Sequence, residues 1–70
     1  MIYKKRYNVQ RIINLIHETI RDSGNSWYNE VDLQEHEIPF TRDMIPDIKA
    51  AFKQYDLHFE ATLIIIQRRK

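Results

Sequence analysis

The sequence predicts a small α+β domain in which two helices pack on one face of a small, mainly antiparallel sheet. Two apolar stripes with helical spacing flank a segment with strand-like alternation, and a long apolar segment comes near the end of the chain. The 70 residues are enough for one domain, so residues 1–70 are interpreted as a single small α+β domain. A domain of this size buries only about 60% of the surface that its unfolded chain exposes, and its stability is therefore expected to be marginal.

The first helix is the clearest predicted element. Apolar residues recur at steps of three and four between residues 9 and 20, which is the spacing of one helix face. Asn8 is a suitable N-cap, and Tyr7 before it is placed to act as a hydrophobic staple. Gly24 stands where the C-terminus of a helix favours a left-handed residue. The helix is therefore expected over about residues 9–23.

A strand is expected after this helix. From Trp27 to Leu33, apolar and polar residues alternate with the period of two that is typical of a half-buried strand. A second short apolar pair, Ile38 and Phe40, follows a polar stretch. These two pieces could form a hairpin.

The second helix is predicted from another amphipathic stripe, which runs from Ile45 to Tyr55. Thr41 is the N-cap candidate. Pro46 complicates the start, because proline is comfortable only in the first turn of a helix. Either the helix begins near Ile45, or residues 41–44 form a separate tight turn.

The segment from residue 57 to residue 67 is predicted to be one long strand or a hairpin broken near residues 60–62. In a single strand, Leu63 and Ile65 would share the core face with Leu57, whereas Ile64 and Ile66 would lie on the opposite face. Those two isoleucines would then be covered by residues 1–7 or by another molecule. The predicted core comprises apolar residues from every element: Val9, Ile12, Ile13, Ile16, Ile20, Val31, Leu33, Ile48, Ala51, Phe52, Leu57, Phe59, Leu63 and Ile65.

The composition argues against an enzyme and against a metal or cofactor. Cysteine is absent, and the single glycine rules out the glycine-rich phosphate-binding motifs, which need several. The three histidines are not spaced three or four residues apart, as metal ligands on a helix commonly are. We expect no catalytic residues, no metal, no cofactor and no small-molecule substrate. The longest apolar run is far shorter than the roughly 20 residues that span a bilayer, so we expect a soluble, cytoplasmic protein that does not enter a membrane.

The net charge of +1 hides a polarised distribution of charged residues. Residues 1–17 and the last three residues are basic, whereas residues 18–47 are strongly acidic. Segregated charge of this kind can steer partners. In residues 3–7, tyrosines flank the basic residues, so that rings and cations could meet bases and phosphates. The candidate nucleic-acid-binding residues are Lys4, Lys5, Arg6, Arg68, Arg69 and Lys70.

The order helix, strand, turn, helix and terminal hairpin resembles a winged-helix module. The resemblance implies that residues 41–55 contain a recognition helix and that residues 56–67 form the wing. Asp43 and Asp47 do not suit contact with phosphate at the start of a recognition helix. A ferredoxin-like arrangement is the other alternative fold.

The leading functional prediction is a small non-enzymatic regulatory or adaptor protein that acts through protein–protein interaction, alone or as a homodimer. Trp27 and Tyr28 are aromatic residues of the type enriched at interfaces, and Ile64 and Ile66 have no evident cover. These four residues are the predicted partner-binding set. The alternative function is a nucleic-acid-binding module of winged-helix type that uses the basic termini.

Overall fold

The computed structural model describes residues 5–24 and 26–69. The three strands form one sheet in the order β1-β3-β2, and both pairings are antiparallel. The predicted α+β class is therefore confirmed. The elements in chain order are α1 (Lys5–Asp22), β1 (Tyr28–Asp32), a short 3₁₀ helix (Arg42–Met44), α2 (Ile45–Ala51), β2 (Tyr55–Glu60) and β3 (Leu63–Arg68).

Helix α1 begins earlier than the apolar stripe indicates. Asn8 lies inside the helix and is buried, so it is not the predicted N-cap. Tyr7 is exposed with the guanidinium of Arg11 5.7 Å from its ring centre, and it is therefore not a buried staple. The helix ends as predicted, because Gly24 adopts a left-handed φ of 68° and its N–H donates to the carbonyl of Arg21.

Strand β1 does not form a hairpin with the segment that contains Ile38 and Phe40. It pairs instead with β3, and the N–H of Leu33 extends this connection by donating to the carbonyl of Thr62. A turn over residues 33–37 follows, and it returns the chain so that Ile38 is buried. Since β3 occupies the position beside β1, the predicted hairpin between residues 27–33 and 38–40 is wrong.

The two alternatives predicted for the start of the second helix, a helix that begins near Ile45 and a separate turn over residues 41–44, occur together. Residues Arg42–Met44 form the separate 3₁₀ turn, and α2 then begins at Ile45 with Pro46 in its first turn. The helix ends at Ala51, which is earlier than predicted, because the backbone of Phe52 leaves the helical region. Tyr55 therefore begins β2 rather than ending a helix.

The terminal segment is a hairpin, and its turn reverses the predicted assignment of faces. Ala61, with a left-handed φ of 52°, and the residue after it connect the two strands. Leu57 pairs with Ile66. Directly paired residues share a face, so the core face passes from odd-numbered residues in β2 to even-numbered residues in β3. Ile64 is 0% exposed, and the prediction that Ile64 and Ile66 lie on an uncovered face is wrong.

The core lies between the two helices and one face of the sheet. Ile38 and Met44 belong to it although they were not predicted, whereas Ala51 is exposed. Leu63 and Ile65 are half-buried and lie on the other face, which corrects their predicted core position. The buried apolar residues are Val9, Ile12, Ile16, Ile20, Val31, Leu33, Ile38, Met44, Ile48, Phe52, Leu57, Ile64 and Ile66; Ile13 and Phe59 pack against them while partly exposed.

Neighbouring isoleucines of β3 allow a direct test of these faces. Ile66→Ala should lower the free energy of unfolding by about 2–5 kcal/mol, because it leaves a cavity in the core. Ile65→Ala should cost only about 1 kcal/mol, because part of this side chain already contacts water. Urea unfolding followed by circular dichroism measures both changes. Equal losses, or a larger loss for Ile65→Ala, would contradict the assignment of faces.

Candidate functional site

One face of the sheet packs against the helices, and the opposite face, called the outer face below, does not belong to the core. Its side chains come from alternate residues of all three strands, because successive residues of a strand point to opposite sides. The outer face consists of Tyr28, Glu30 and Asp32 from β1, Asp56, His58 and Glu60 from β2, and Leu63, Ile65 and Gln67 from β3.

Two aliphatic side chains occupy the middle of the outer face. Leu63 and Ile65 belong to the central strand and are half-buried among the side chains of the flanking strands. An antiparallel sheet with one solvated face normally places polar residues there. The apolar centre is therefore a departure from that pattern. The cross-strand rows are Glu30–Ile65–His58 and Asp32–Leu63–Glu60.

The hydroxyl of Tyr28 donates a hydrogen bond to the carboxylate of Glu30. This bond, together with burial and the negative charges of Glu30 and Glu60, raises the pKa of the Tyr28 phenol above its ordinary value. Both glutamates therefore act on the same ring, although one stands on β1 and the other on β2. The outer face thus presents negative potential around its apolar centre.

Asp56 differs from the other acids of the outer face, because Arg69 binds it. The Nε and Nη2 atoms of Arg69 lie 3.1 and 2.9 Å from Oδ1 of Asp56. Asp32 is also engaged, since it accepts hydrogen bonds from the backbone of Gln34 and the hydroxyl of Thr62. The acids at the rim of the outer face are thus in part structural, and they fix the positions of the strand ends.

The four predicted partner-binding residues do not form one surface. Trp27 and Tyr28 are 60% and 45% exposed, but they belong to opposite faces of the sheet. Tyr28 belongs to the outer face, whereas Trp27 lies beside Arg68 at the end of the other face. The residues that sequence reasoning missed are Leu63 and Ile65, which had been assigned to the core.

The N-terminal part of the predicted nucleic-acid surface is occupied by acidic neighbours. The Nζ atom of Lys5 lies 3.3 Å from Asp43 and 3.5 Å from Asp47. Hydrogen bonding to Asp43 is the main cause that raises the pKa of Lys5. The pKa of Asp43 is lowered, first by the hydroxyl of Thr41 and then by Lys5. Lys5 is therefore an ion-pairing residue that joins α1 to α2.

The two basic ends of the chain do not meet in the described residues. Arg6 is exposed at the start of α1, whereas Arg68 donates its backbone N–H to Trp27, beyond the other end of that helix. A helix of 18 residues is about 27 Å long. The four described members of the predicted nucleic-acid-binding set, Lys5, Arg6, Arg68 and Arg69, therefore do not form one patch; Lys4 and Lys70 lie outside the described residues.

The element order agrees with the winged-helix alternative, whereas a ferredoxin-like fold needs a fourth strand that residues 5–24 and 26–69 do not contain. Acidic residues stand at the start of the region that a winged-helix module would place against DNA and beside its wing, next to the basic residues Arg42 and Lys49. Asp43 lies in the 3₁₀ turn, Asp47 lies in the first turn of α2, and Glu60 stands beside the turn of the hairpin. Lys5 offsets part of this charge. The usual winged-helix contact surface therefore carries mixed charge rather than the basic patch that favours contact with phosphate.

A separate apolar groove of about 470 Å³ lies between the 3₁₀ turn and the hairpin. Phe40 and Phe59 stack in it with ring centres 5.7 Å apart, and Ile45 lines its side. Its lining carries no charge pattern that specifies an occupant. Within the described part of the chain, no three side chains of the metal-binding types come together, and no helix is long and apolar enough to cross a membrane.

Comparisons with known proteins identify no relative. No family model matches the sequence, and neither the curated proteins nor the solved structures include a significant match. The function is therefore inferred from the side chains of the described surface.

The ionisation of Tyr28 tests the negative potential of the outer face. Glu30→Gln should lower the pKa of Tyr28 toward the ordinary tyrosine value of about 10, because the phenol loses its charged acceptor. In the unchanged protein, the raised pKa stabilises the fold below about pH 10, and this contribution is lost as the pH rises through the folded-state value. NMR titration of the tyrosine rings measures the shift. Glu35→Gln, in the turn after β1, is the control and should leave Tyr28 unchanged.

Proposed function

We propose that this protein is a small non-enzymatic adaptor or regulatory protein, and that it binds another protein through the outer face of its sheet. The observation that supports this most directly is the pair Leu63 and Ile65 at the centre of a face on which residues 5–24 and 26–69 place no helix. Each of these side chains retains apolar surface that a partner can remove from water. Burial of such surface contributes roughly 25 cal/mol per Å², which is the main favourable term in protein association.

The charge of the outer face supports a partner segment that combines basic and apolar side chains. Glu30 and Glu60 stand on the two strands that flank the apolar centre. A segment that presents aliphatic or aromatic side chains between lysines or arginines would match this arrangement, because its cations would face the rim while its apolar groups covered the centre. Complementary charge of this kind chiefly increases the association rate and the specificity.

A homodimer formed by two outer faces does not fit the same chemistry. Two copies of the face would bring the glutamates of one chain toward the glutamates of the other, and like charges in an interface are unfavourable. The proposed partner is therefore a different protein. The proposal includes a cytoplasmic location, because a chain without cysteine has none of the disulfides on which small secreted domains commonly rely.

Binding of a defined peptide provides the test. A short peptide in which lysine alternates with leucine should perturb the NMR signals of β1, β2 and β3 on the outer face, whereas a peptide that alternates glutamate with leucine should not bind. The double variant Glu30→Gln/Glu60→Gln should weaken binding roughly 2- to 30-fold, since exposed ion pairs contribute about 0.2–1 kcal/mol each. Ile65→Ser should weaken it further by removing the apolar contact.

A matched control separates this site from general electrostatic attraction. Glu35→Gln/Glu37→Gln removes the same charge from the exposed turn after β1. Binding to this variant should equal binding to the unchanged protein. If both double variants lose the same affinity, or if the perturbed signals lie outside the outer face, the proposed docking surface is wrong.

A further inference from the structure

Three side chains form a row across the end of the sheet, on the face that carries the helices. Arg68 of β3 pairs with Tyr55 of β2, and its backbone N–H donates to the carbonyl of Trp27 on the other side. The guanidinium of Arg68 lies 5.8 Å from the centre of the Trp27 ring. The adjacent cross-strand row on the same face contains Ile66, which is buried in the core. The row of Trp27, Arg68 and Tyr55, called the aromatic row below, is therefore the first row that extends beyond the core.

Further basic residues surround the aromatic row. Lys53 and Arg69 line a hollow of about 340 Å³ together with Tyr55 and Arg68. A second hollow of about 580 Å³ adjoins it; Lys49 lies in its wall, and on its far side the hollow reaches Asp56, His58 and Gln67 of the outer face. Asp56, the acid that directly follows Tyr55 in the sequence, already accepts two hydrogen bonds from Arg69. This end of the molecule thus combines positive charge with one exposed ring, Trp27, and one half-buried ring, Tyr55, unlike the acidic outer face.

The aromatic row is fixed by neighbouring contacts. Tyr55 is half-buried and packs edge-on against Phe52, with ring centres 6.4 Å apart. Trp27 is held at the backbone by its bond to β3, although 60% of the residue is exposed. Rings that are already positioned lose little conformational freedom when a ligand stacks on them. The ring of Tyr55 is therefore positioned in advance, whereas Trp27 is fixed at its backbone.

We propose that the aromatic row binds single-stranded nucleic acid. Bases would stack on Trp27 and against Tyr55, while Arg68 and Lys53 contact phosphates. Rings alternating with cations along a basic hollow are the combination that binds single strands without reading their sequence. A duplex suits the row less well, because its bases are already stacked on one another. The shared chemistry is a backbone phosphate beside an unpaired base, which single-stranded DNA and RNA both supply.

This inference does not depend on the docking of a protein partner. By the alternation of the strands, the aromatic row lies on the helix-bearing face, and Tyr28 lies on the outer face. The two surfaces can therefore be tested separately, and either can be wrong without the other.

Fluorescence gives the first measurement, because Trp27 is the only tryptophan in the chain. Mixed-sequence single strands of about ten nucleotides, one of DNA and one of RNA, should quench Trp27 at low salt as bases stack on it. A duplex of the same sequence should quench it less. Quenching by the DNA strand or by the RNA strand supports the proposal, and comparison of the two strands shows which nucleic acid is preferred. Absence of quenching by both single strands would overturn it.

Variants then locate the contact, with binding measured by the anisotropy of a labelled single strand. Trp27→Leu should weaken binding roughly 5- to 150-fold, the effect of losing one stacked base. Lys53→Gln/Arg68→Gln should reduce the slope of log affinity against log salt by about 1.4, since each single-strand phosphate contact contributes about 0.7. Circular dichroism confirms that each variant is folded.

The matched control removes two exposed arginines far from the aromatic row, in the variant Arg6→Gln/Arg42→Gln. Arg6 stands at the start of α1, where binding by the N-terminal basic segment would be expected. Arg42 stands in the 3₁₀ turn, where a winged-helix module would contact DNA. This variant should retain both its affinity and its salt slope. If it loses as much as Lys53→Gln/Arg68→Gln, or if the duplex binds more tightly than the single strands, the aromatic row is not the site.

Discussion

The two-sided pairing of β3 is the constraint on which the rest of the molecule depends. This strand lies between β1 and β2, and its register with both sets which side chains face the helices. Ile64 and Ile66 consequently belong to the same core as the apolar stripe of α1, and Leu63 and Ile65 remain on the other side. A shift of one residue would exchange the two sets. The register of β3 therefore determines both which residues form the core and which residues form the outer face.

Local patterns in the sequence predict the elements but not their pairing. The stripe between residues 9 and 20 identifies α1, and alternation identifies β1, because each pattern depends only on neighbours along the chain. The run Leu63–Ile66 is apolar at every position, so alternation cannot say which residues face inward. The turn between β2 and β3 decides which residues of β3 face the core. It contains Ala61 in a left-handed conformation, without the glycine that usually marks such a position.

The candidate surfaces were harder to predict, because each one combines residues from distant parts of the chain. Glu30 and Glu60 come to flank the same apolar centre only through the pairing of both edge strands with β3. Trp27 meets Arg68 for the same reason. The segregation of charge was visible in the sequence, yet the length of α1 keeps Arg6 and Arg68 at opposite ends of that helix. The sequence shows which segments are basic and which are acidic, whereas only the fold shows where those segments lie relative to one another.

The strand order also has a consequence for biosynthesis. β1 and β2 are made before β3 and do not pair with each other, so neither has a strand partner until residues 63–68 leave the ribosome. Chains generally emerge at about 5–20 residues per second, and unpaired strands are prone to aggregation meanwhile. α1 can form early, but its apolar stripe has no sheet to cover it. Folding of this domain is therefore expected to follow release of its central strand rather than to proceed gradually during synthesis.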